Sequence, residues 1–249
     1  MRFKDKVVII TGGGSGIGLA AARKFIDHGA NVLITGRRKA QLDSVTAGSS
    51  NLQGLVADSS DPEAATRTVA AAMDYWGRID IVVNNAGSGV IQPLVETNAK
   101  SISDIFAVNV AGPTLLASAA IPQLAKTGGS IVNLSSTYGS KAAADLSLYA
   151  ASKAALEHLT RCWALELAPK GIRVNAVASG PVETEFLRER MGLSDKEITA
   201  VKEQERRAIP LGRRGVPNDV ARWILNLADP EANWITGQII AIDGGLVIT

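Results

Sequence analysis

Cysteine is almost absent: Cys162 is alone in 249 residues, so no disulfide can form within the chain. That fits a reducing compartment. Histidine is nearly as scarce, with only His28 and His158, far apart. One cysteine and two separated histidines do not make a zinc site, and no metal is expected. Charge of one sign is also missing: 26 Lys and Arg face 24 Asp and Glu, a net +2. No basic block gives a nucleic-acid footprint. The start, Met1-Arg2-Phe3-Lys4-Asp5-Lys6, is charged, and the apolar stretch behind it is four residues long, too short for a signal peptide. No apolar run is read as approaching the ~20 residues of a spanning helix. The expectation is a cytoplasmic protein with no membrane and no nucleic-acid partner. Linkers, low-complexity tracts and repeats are missing too, which leaves one domain over residues 1–249.

What is present is an alternation. Short apolar runs, Val7–Thr11, Asn31–Thr35, Leu52–Ala57, Ile79–Val83, Ser130–Leu134, Arg173–Val177 and Gln238–Ile242, are separated by Ala-rich helical stretches. The runs lack strict polar alternation, as strands covered on both faces do. Asp61-Pro62-Glu63 reads as a helix start with Asp61 as cap, Pro217-Asn218-Asp219 as another, and Gly29, Gly77, Gly128 and Gly171 as helix ends. Asp74-Tyr75-Trp76-Gly77 reads as a helix end with core aromatics. Strand and helix in turn predict an α/β protein, a doubly wound parallel sheet with helices on both faces. Pro181 to about Gly215 breaks the rhythm with a charged insertion that includes Glu183, Glu185, Arg188, Glu189 and Arg190. An insertion of that size at strand ends is either functional or a solvated excursion.

After the first strand comes Thr11-Gly12-Gly13-Gly14-Ser15-Gly16-Ile17-Gly18. Five glycines would weaken a helix or strand, at up to ~1 kcal/mol each against alanine. Between a first strand and a first helix they have a use, letting a phosphate approach backbone N–H groups at the positive helix end. The pattern is Gly12-x-x-x-Gly16-x-Gly18, neither a strict G-x-G-x-x-G nor a Walker A loop. The second strand ends at Gly36-Arg37-Arg38, where an NAD site usually carries a carboxylate for the ribose 2′-hydroxyl. Guanidinium matches phosphate in charge and fork geometry, so NADP is expected over NAD. The alternative is that both arginines are solvated.

Tyr149 and Lys153 stand four apart in a helical stretch running to about Ala168, so they share a face. Ser136 follows the strand Ser130–Leu134. Strand ends and the next helix both border the crevice of a parallel sheet. Ketone reduction needs a proton on oxygen as hydride reaches carbon. A phenol titrates near 10, and bringing it near neutrality takes about 3–4 kcal/mol. An ammonium ~4 Å away at an effective dielectric of ~20 supplies about 4 kcal/mol before desolvation is subtracted. Ser136 could hold the substrate oxygen.

These residues resemble the short-chain dehydrogenase/reductase family. The resemblance runs from Lys6 to about Gly245 and rests on Gly12-x-x-x-Gly16-x-Gly18, Asn84-Asn85-Ala86-Gly87, Asn109, Ser136, Tyr149-x-x-x-Lys153, Asn175 and Asp243-Gly244. It implies a single Rossmann-type domain with a seven-stranded parallel sheet and, commonly, a homotetramer. Tyr149 would be the acid/base. Lys153 would hold the nicotinamide ribose and lower the tyrosine pKa. Ser136 would orient the carbonyl, and Asn109 would fix a water in a relay with Lys153. Gly12, Ser15, Gly16, Ile17 and Gly18 would cradle the cofactor, with Arg37 and Arg38 on its phosphate. Asp58 would contact adenine, Asn85, Ala86 and Gly87 would lie along the adenosine side, and Val182 and Thr184 would meet the carboxamide. Residues 182–215 would form a substrate lid. The family usually has Pro-Gly where this chain has Ser179-Gly180, which implies a freer start to that loop.

The expected function is an NADP(H)-dependent oxidoreductase interconverting a secondary alcohol and a ketone, a carbonyl reductase or 3-oxoacyl reductase-like enzyme. The alternatives are an NAD-dependent alcohol or sugar dehydrogenase and a non-catalytic NADP-binding redox sensor. The sensor would have no need of Asn109, Ser136, Tyr149 and Lys153 together. Enoyl reduction usually spaces its Tyr and Lys wider.

Overall fold

The computed structural model describes residues 1–249. Seven strands form in the expected places: β1 Val7–Thr11, β2 Asn31–Gly36, β3 Leu52–Val56, β4 Ile81–Asn84, β5 Ser130–Ser136, β6 Arg173–Ser179 and β7 Ile239–Ile242. They make one all-parallel sheet in the order β3-β2-β1-β4-β5-β6-β7. Adjacent residues of β1 serve opposite layers. Val8 and Ile10 join Phe25 and Ile224 on one face, while Ile9 joins Leu33, Val82 and Leu124 on the other. This two-sided burial is why the runs are apolar without alternation. The edge strand β7 is only partly buried.

Nine α-helices cross between the strands. α1 (Gly16–Asp27) and α9 (Pro217–Ala228) pack together on one face. α2 (Lys39–Thr46) follows β2. The other face carries α3 (Ala64–Trp76), α4 (Ala99–Phe106), α5 (Gly112–Thr127) and α6 (Ser147–Leu167). α7 (Phe186–Glu189) and α8 (Asp195–Ala208) lie in the insertion after β6. Gly77, Gly128 and Gly171 close their helices in the left-handed conformation, and Pro217 opens α9 at its first position.

Two expectations about α3 need correcting. The helix starts at Ala64, because Asp61-Pro62-Glu63 forms a preceding turn in which the Asp61 carboxylate accepts the Glu63 N–H at 3.0 Å. At its other end Tyr75 is exposed while Trp76 packs on the core.

A third correction concerns apolar length. α4 and α5 join through a π-helical turn, Ala107–Ala111, into one helix over Ala99–Thr127 that contains an 18-residue window of mean hydropathy 1.6, enough by length and composition alone to span a membrane. Asn109 and scattered small polar residues disguise that run in the sequence. Here α5 lies on α3 and the π turn lies on α6, within the layer covering the sheet. The turn has a local cause. Pro113 has no N–H to offer the carbonyl four residues back, and the Gly112 N–H reaches Ala107 instead.

Candidate active site

The strand order reverses between β1 and β4, where the carboxyl ends of neighbouring strands diverge. A cleft opens there and runs from the glycine loop to the carboxyl ends of β5 and β6. Gly12, Ser15, Gly16 and Ile17 line it at the amino end of α1. Gly12 and Gly16 have φ of +65° and +54°, a conformation that favours glycine. Gly18 is not on the wall. A β-carbon there would fall 2.5 Å from Asn85 Nδ2 and 2.6 Å from the Gly12 carbonyl, so it lets loop, helix and β4 close together. Asn85 Nδ2 donates to the carbonyls of Thr11 (2.8 Å) and Gly12 (3.1 Å), and the Asn85 and Ala86 N–H groups donate to Thr11 Oγ1. The asparagine side chain therefore shapes the glycine loop, while Asn85, Ala86 and Gly87 still border the cleft. The loop fits a dinucleotide pyrophosphate: its leading α1 N–H groups lack intrahelical partners, and the glycines leave the approach bare.

At the other end of the cleft stand Ser136, Tyr149 and Lys153. The pairs Ser135↔Ala178 and Ser136↔Ser179 hold the end of β5 on β6. α6 presents Tyr149, Lys153 and Glu157, spaced by four, as buried residues. Burial pushes the Tyr149 phenol above its ordinary value; a hydrogen bond with Ser136 opposes this, and nearby Tyr138 adds to it. The Lys153 Nζ donates to the Leu134 carbonyl at 2.7 Å and lies 5.9 Å from the Tyr149 ring centre. Burial brings the Lys153 ammonium down to about 8, with Glu157 opposing the fall.

Sequence reading passed over Glu157, although its place two helical steps after Tyr149 was a usable signal. Its carboxylate accepts from Ser135 Oγ at 2.7 Å and from Ser140 Oγ at 3.2 Å. Asn109 lies behind the wall. Its Oδ1 accepts the Ser88 N–H at 2.8 Å, and its Nδ2 donates to the Ser88 carbonyl and to Ser152 Oγ, each at 2.9 Å. A β-carbon on Gly87 would lie 3.4 Å from Lys153 Nζ and 3.6 Å from Asn109 Oδ1, so both flank that glycine.

The far corner is ionic. Arg37 lines the cleft and faces Asp58 at 3.9 Å. Arg38 does not line it; its guanidinium forks onto Glu189, at 2.5 and 3.0 Å. Glu189 and Arg190, from the insertion, are on the wall. The charge-rich run Glu185–Arg190 was the only hint of them.

Val182 and Thr184 also border the cleft. A β-carbon on Gly16 would lie 3.2 Å from Thr184 Cγ2, so the insertion touches the glycine loop. Its start is not loose, despite Ser179 in place of proline. The Gly180 N–H donates to the Ile242 carbonyl (3.0 Å), and Gly215 N–H to that of Pro181 (2.9 Å). Val182 bridges to Gly215, and buried Arg214 donates to the Val182 carbonyl at 2.7 Å while pairing with Glu183 and Glu205. No cluster of metal-ligating side chains is present.

A family model described as enoyl-(acyl carrier protein) reductase matches residues 12–247. The chain is 41% identical, over 98% of its length and 93% of the relative's, to an uncharacterized oxidoreductase of Mycobacterium tuberculosis. It is 39% identical, over the whole of both chains, to the 3-oxoacyl-[acyl-carrier-protein] reductase FabG of Thermotoga maritima. A crystal structure with cofactor, of a short-chain dehydrogenase/reductase of unknown function from Caenorhabditis elegans, superposes with a TM-score of 0.93. It is 34% identical, covering 100% of this chain and 97% of that one. The chain belongs to the short-chain dehydrogenase/reductase family and is an NAD(P)-dependent oxidoreductase.

Proposed function

We propose that this enzyme interconverts a secondary alcohol and a ketone with NADP(H), and that Tyr149 is its acid/base. The observation that carries the reading is the shared wall: Ser136, Tyr149 and Lys153 border the same cleft as the glycine loop and Arg37. The dinucleotide, when bound, gives or takes the hydride. The remaining work falls to side chains. Burial keeps the Tyr149 phenol protonated at neutral pH, the form that donates to a ketone oxygen. Ser136 is in reach of that phenol and orients the substrate oxygen beside it. Lys153 supplies positive charge in a nearly dry setting, where charge acts strongly. Asn109 fixes the Ser88 backbone at the cleft's edge and stands close enough to Lys153 to share a water with it.

The NADP preference rests on Gly36-Arg37-Arg38, where no carboxylate ends β2 to meet a ribose hydroxyl. Residues 182–215 act as the substrate lid. The 39% identity to FabG puts 3-oxoacyl thioesters in the first substrate panel beside simple ketones. The Tyr149-x-x-x-Lys153 spacing favours carbonyl over enoyl reduction. A homotetramer would cover Leu165 and Trp234, which are 82% and 97% exposed in a single chain. A single exposed Cys162 suits the cytoplasm. The test is a screen of ketones, 3-oxoacyl thioesters and alcohols with each cofactor. NADPH-dependent ketone reduction is expected; turnover confined to NADH, or none with any carbonyl or alcohol, overturns the reading.

A further inference from the structure

The insertion reaches across the cleft to the adenosine end, and it brings charges there. Arg38 is held by Glu189 in a two-pronged pair, and Arg37 by Asp58 at the longer distance of 3.9 Å. Arg190, the residue after α7, lines the same wall as Arg37, Asp58 and Glu189. It makes no ion pair or side-chain hydrogen bond of its own. Burial, and then the neighbouring Arg37 charge, push its guanidinium down from its ordinary value; Glu189 opposes this and Arg38 adds to it. Three guanidiniums from two separate elements therefore meet around two carboxylates. Like charges gathered beside an open cleft are unfavourable until a multivalent anion joins them.

We propose that Arg190 completes, with Arg37 and Arg38, a seat for the 2′-phosphate of the dinucleotide, and that Glu189 occupies Arg38 until the phosphate displaces it. The inference rests on the NADP reading above and adds to it two specificity residues carried by the lid. A phosphomonoester brings nearly two charges and three acceptor oxygens against one carboxylate charge, so it wins the exchange for a half-exposed arginine. The exchange also releases the contact that ties α7 to the end of β2. NADPH then both engages Arg190 and frees the lid from Arg38. An unphosphorylated dinucleotide does neither.

The experiment is fluorescence titration of the full-length protein with NADPH and NADH, in wild type and variants. Arg190→Ala is expected to lower the NADPH:NADH affinity ratio about tenfold, with Arg190→Lys recovering part of the loss. Glu189→Gln is expected to raise the ratio about threefold, because the competing charge is gone. Arg188→Ala, on the same short helix but paired with Glu185 and Asp195, is expected to leave it unchanged. Adenosine 2′,5′-bisphosphate is expected to compete about tenfold less well against the Arg190→Ala protein. A wild type that prefers NADPH, with a ratio unmoved by Arg190→Ala, overturns the lid assignment and leaves the cofactor reading standing. A wild type that prefers NADH overturns both. So does loss of NADH affinity in an NADH-preferring Glu189→Gln protein, which would place that carboxylate on a ribose hydroxyl.

Discussion

The two ends of the cleft are held by different physics. At the Tyr149 end, Tyr149, Lys153, Glu157 and Asn109 are almost fully buried, and the last three are fixed by short hydrogen bonds to backbone and hydroxyl groups. At the Arg37 end, Arg37, Arg38 and Glu189 keep 56%, 49% and 30% of their side-chain surface, Arg37 pairing with Asp58 and Arg38 with Glu189. Reactive groups need fixed positions, and a low-dielectric wall provides them at a cost in stability. Discrimination between cofactors needs only a charge difference, which solvated side chains supply at little cost. Substitutions at the first end should therefore act on turnover and folding, those at the second on affinity.

The largest expected effect is that of Tyr149→Phe. Steady-state assays should show kcat reduced by roughly 10²–10⁴, as on loss of a general acid/base, with NADPH still bound. Intact turnover would erase the distinction between the two ends. Next is Lys153→Met, which should lower kcat by about 10² or more and yet stabilise the fold. An ammonium with a folded-state pKa of about 8, against 10.5 in the open chain, costs about 3 kcal/mol at neutral pH. Urea unfolding should show the variant more stable by ~1–3 kcal/mol, the lost bond to Leu134 taking back part of the gain. The sign also sets a pH signature. Between about 8 and 10.5 the unfolded chain keeps a proton that folded Lys153 has released, so wild-type stability should rise across that range. The variant should lack the slope. kcat/KM for reduction should fall as pH rises past about 8, where the free enzyme loses the Lys153 charge.

Gly18→Ala probes the joint between the ends. Its methyl would collide with Asn85 Nδ2 and the Gly12 carbonyl, costing ~1–3 kcal/mol and weakening NADPH by about tenfold. Added salt sharpens the contrast further: 50 to 500 mM NaCl should weaken NADPH binding by roughly threefold to tenfold and change kcat at saturation by less than about twofold. The smallest effect belongs to Arg37→Ala, expected within ~0.5 kcal/mol of wild type in urea unfolding.

Much of this was legible in the chain. Apolar runs located all seven strands: β1, β2, β4, β5 and β6 bury residues on both faces and carry the stronger signal, while the edge strands β3 and β7 are only partly buried. Tyr149, Lys153 and Ser136 could be grouped because helical spacing and strand ends are local rules. The Arg38–Glu189 pair was not legible, since residues 151 positions apart are joined only by how the insertion folds back. The start of α3 was misplaced because Asp61 makes its cap-like bond within a turn. Asn85 borders the cleft as its motif implies, but the bonds of its side chain to the Thr11 and Gly12 carbonyls depend on how the loop folds against β4 and carry no local sequence signal. The π turn was hidden as well, though Pro113 marked the place.

That turn has a consequence for insertions and deletions. A single extra residue in a helix advances every later side chain by about 100°. α4 and α5 thus answer to different neighbours, one meeting α6 and the other α3, while remaining one rod. Deleting one residue between 107 and 111 would restore the regular pitch and rotate the two halves out of phase, so that either Asn109 or the α5 seam must face the wrong way.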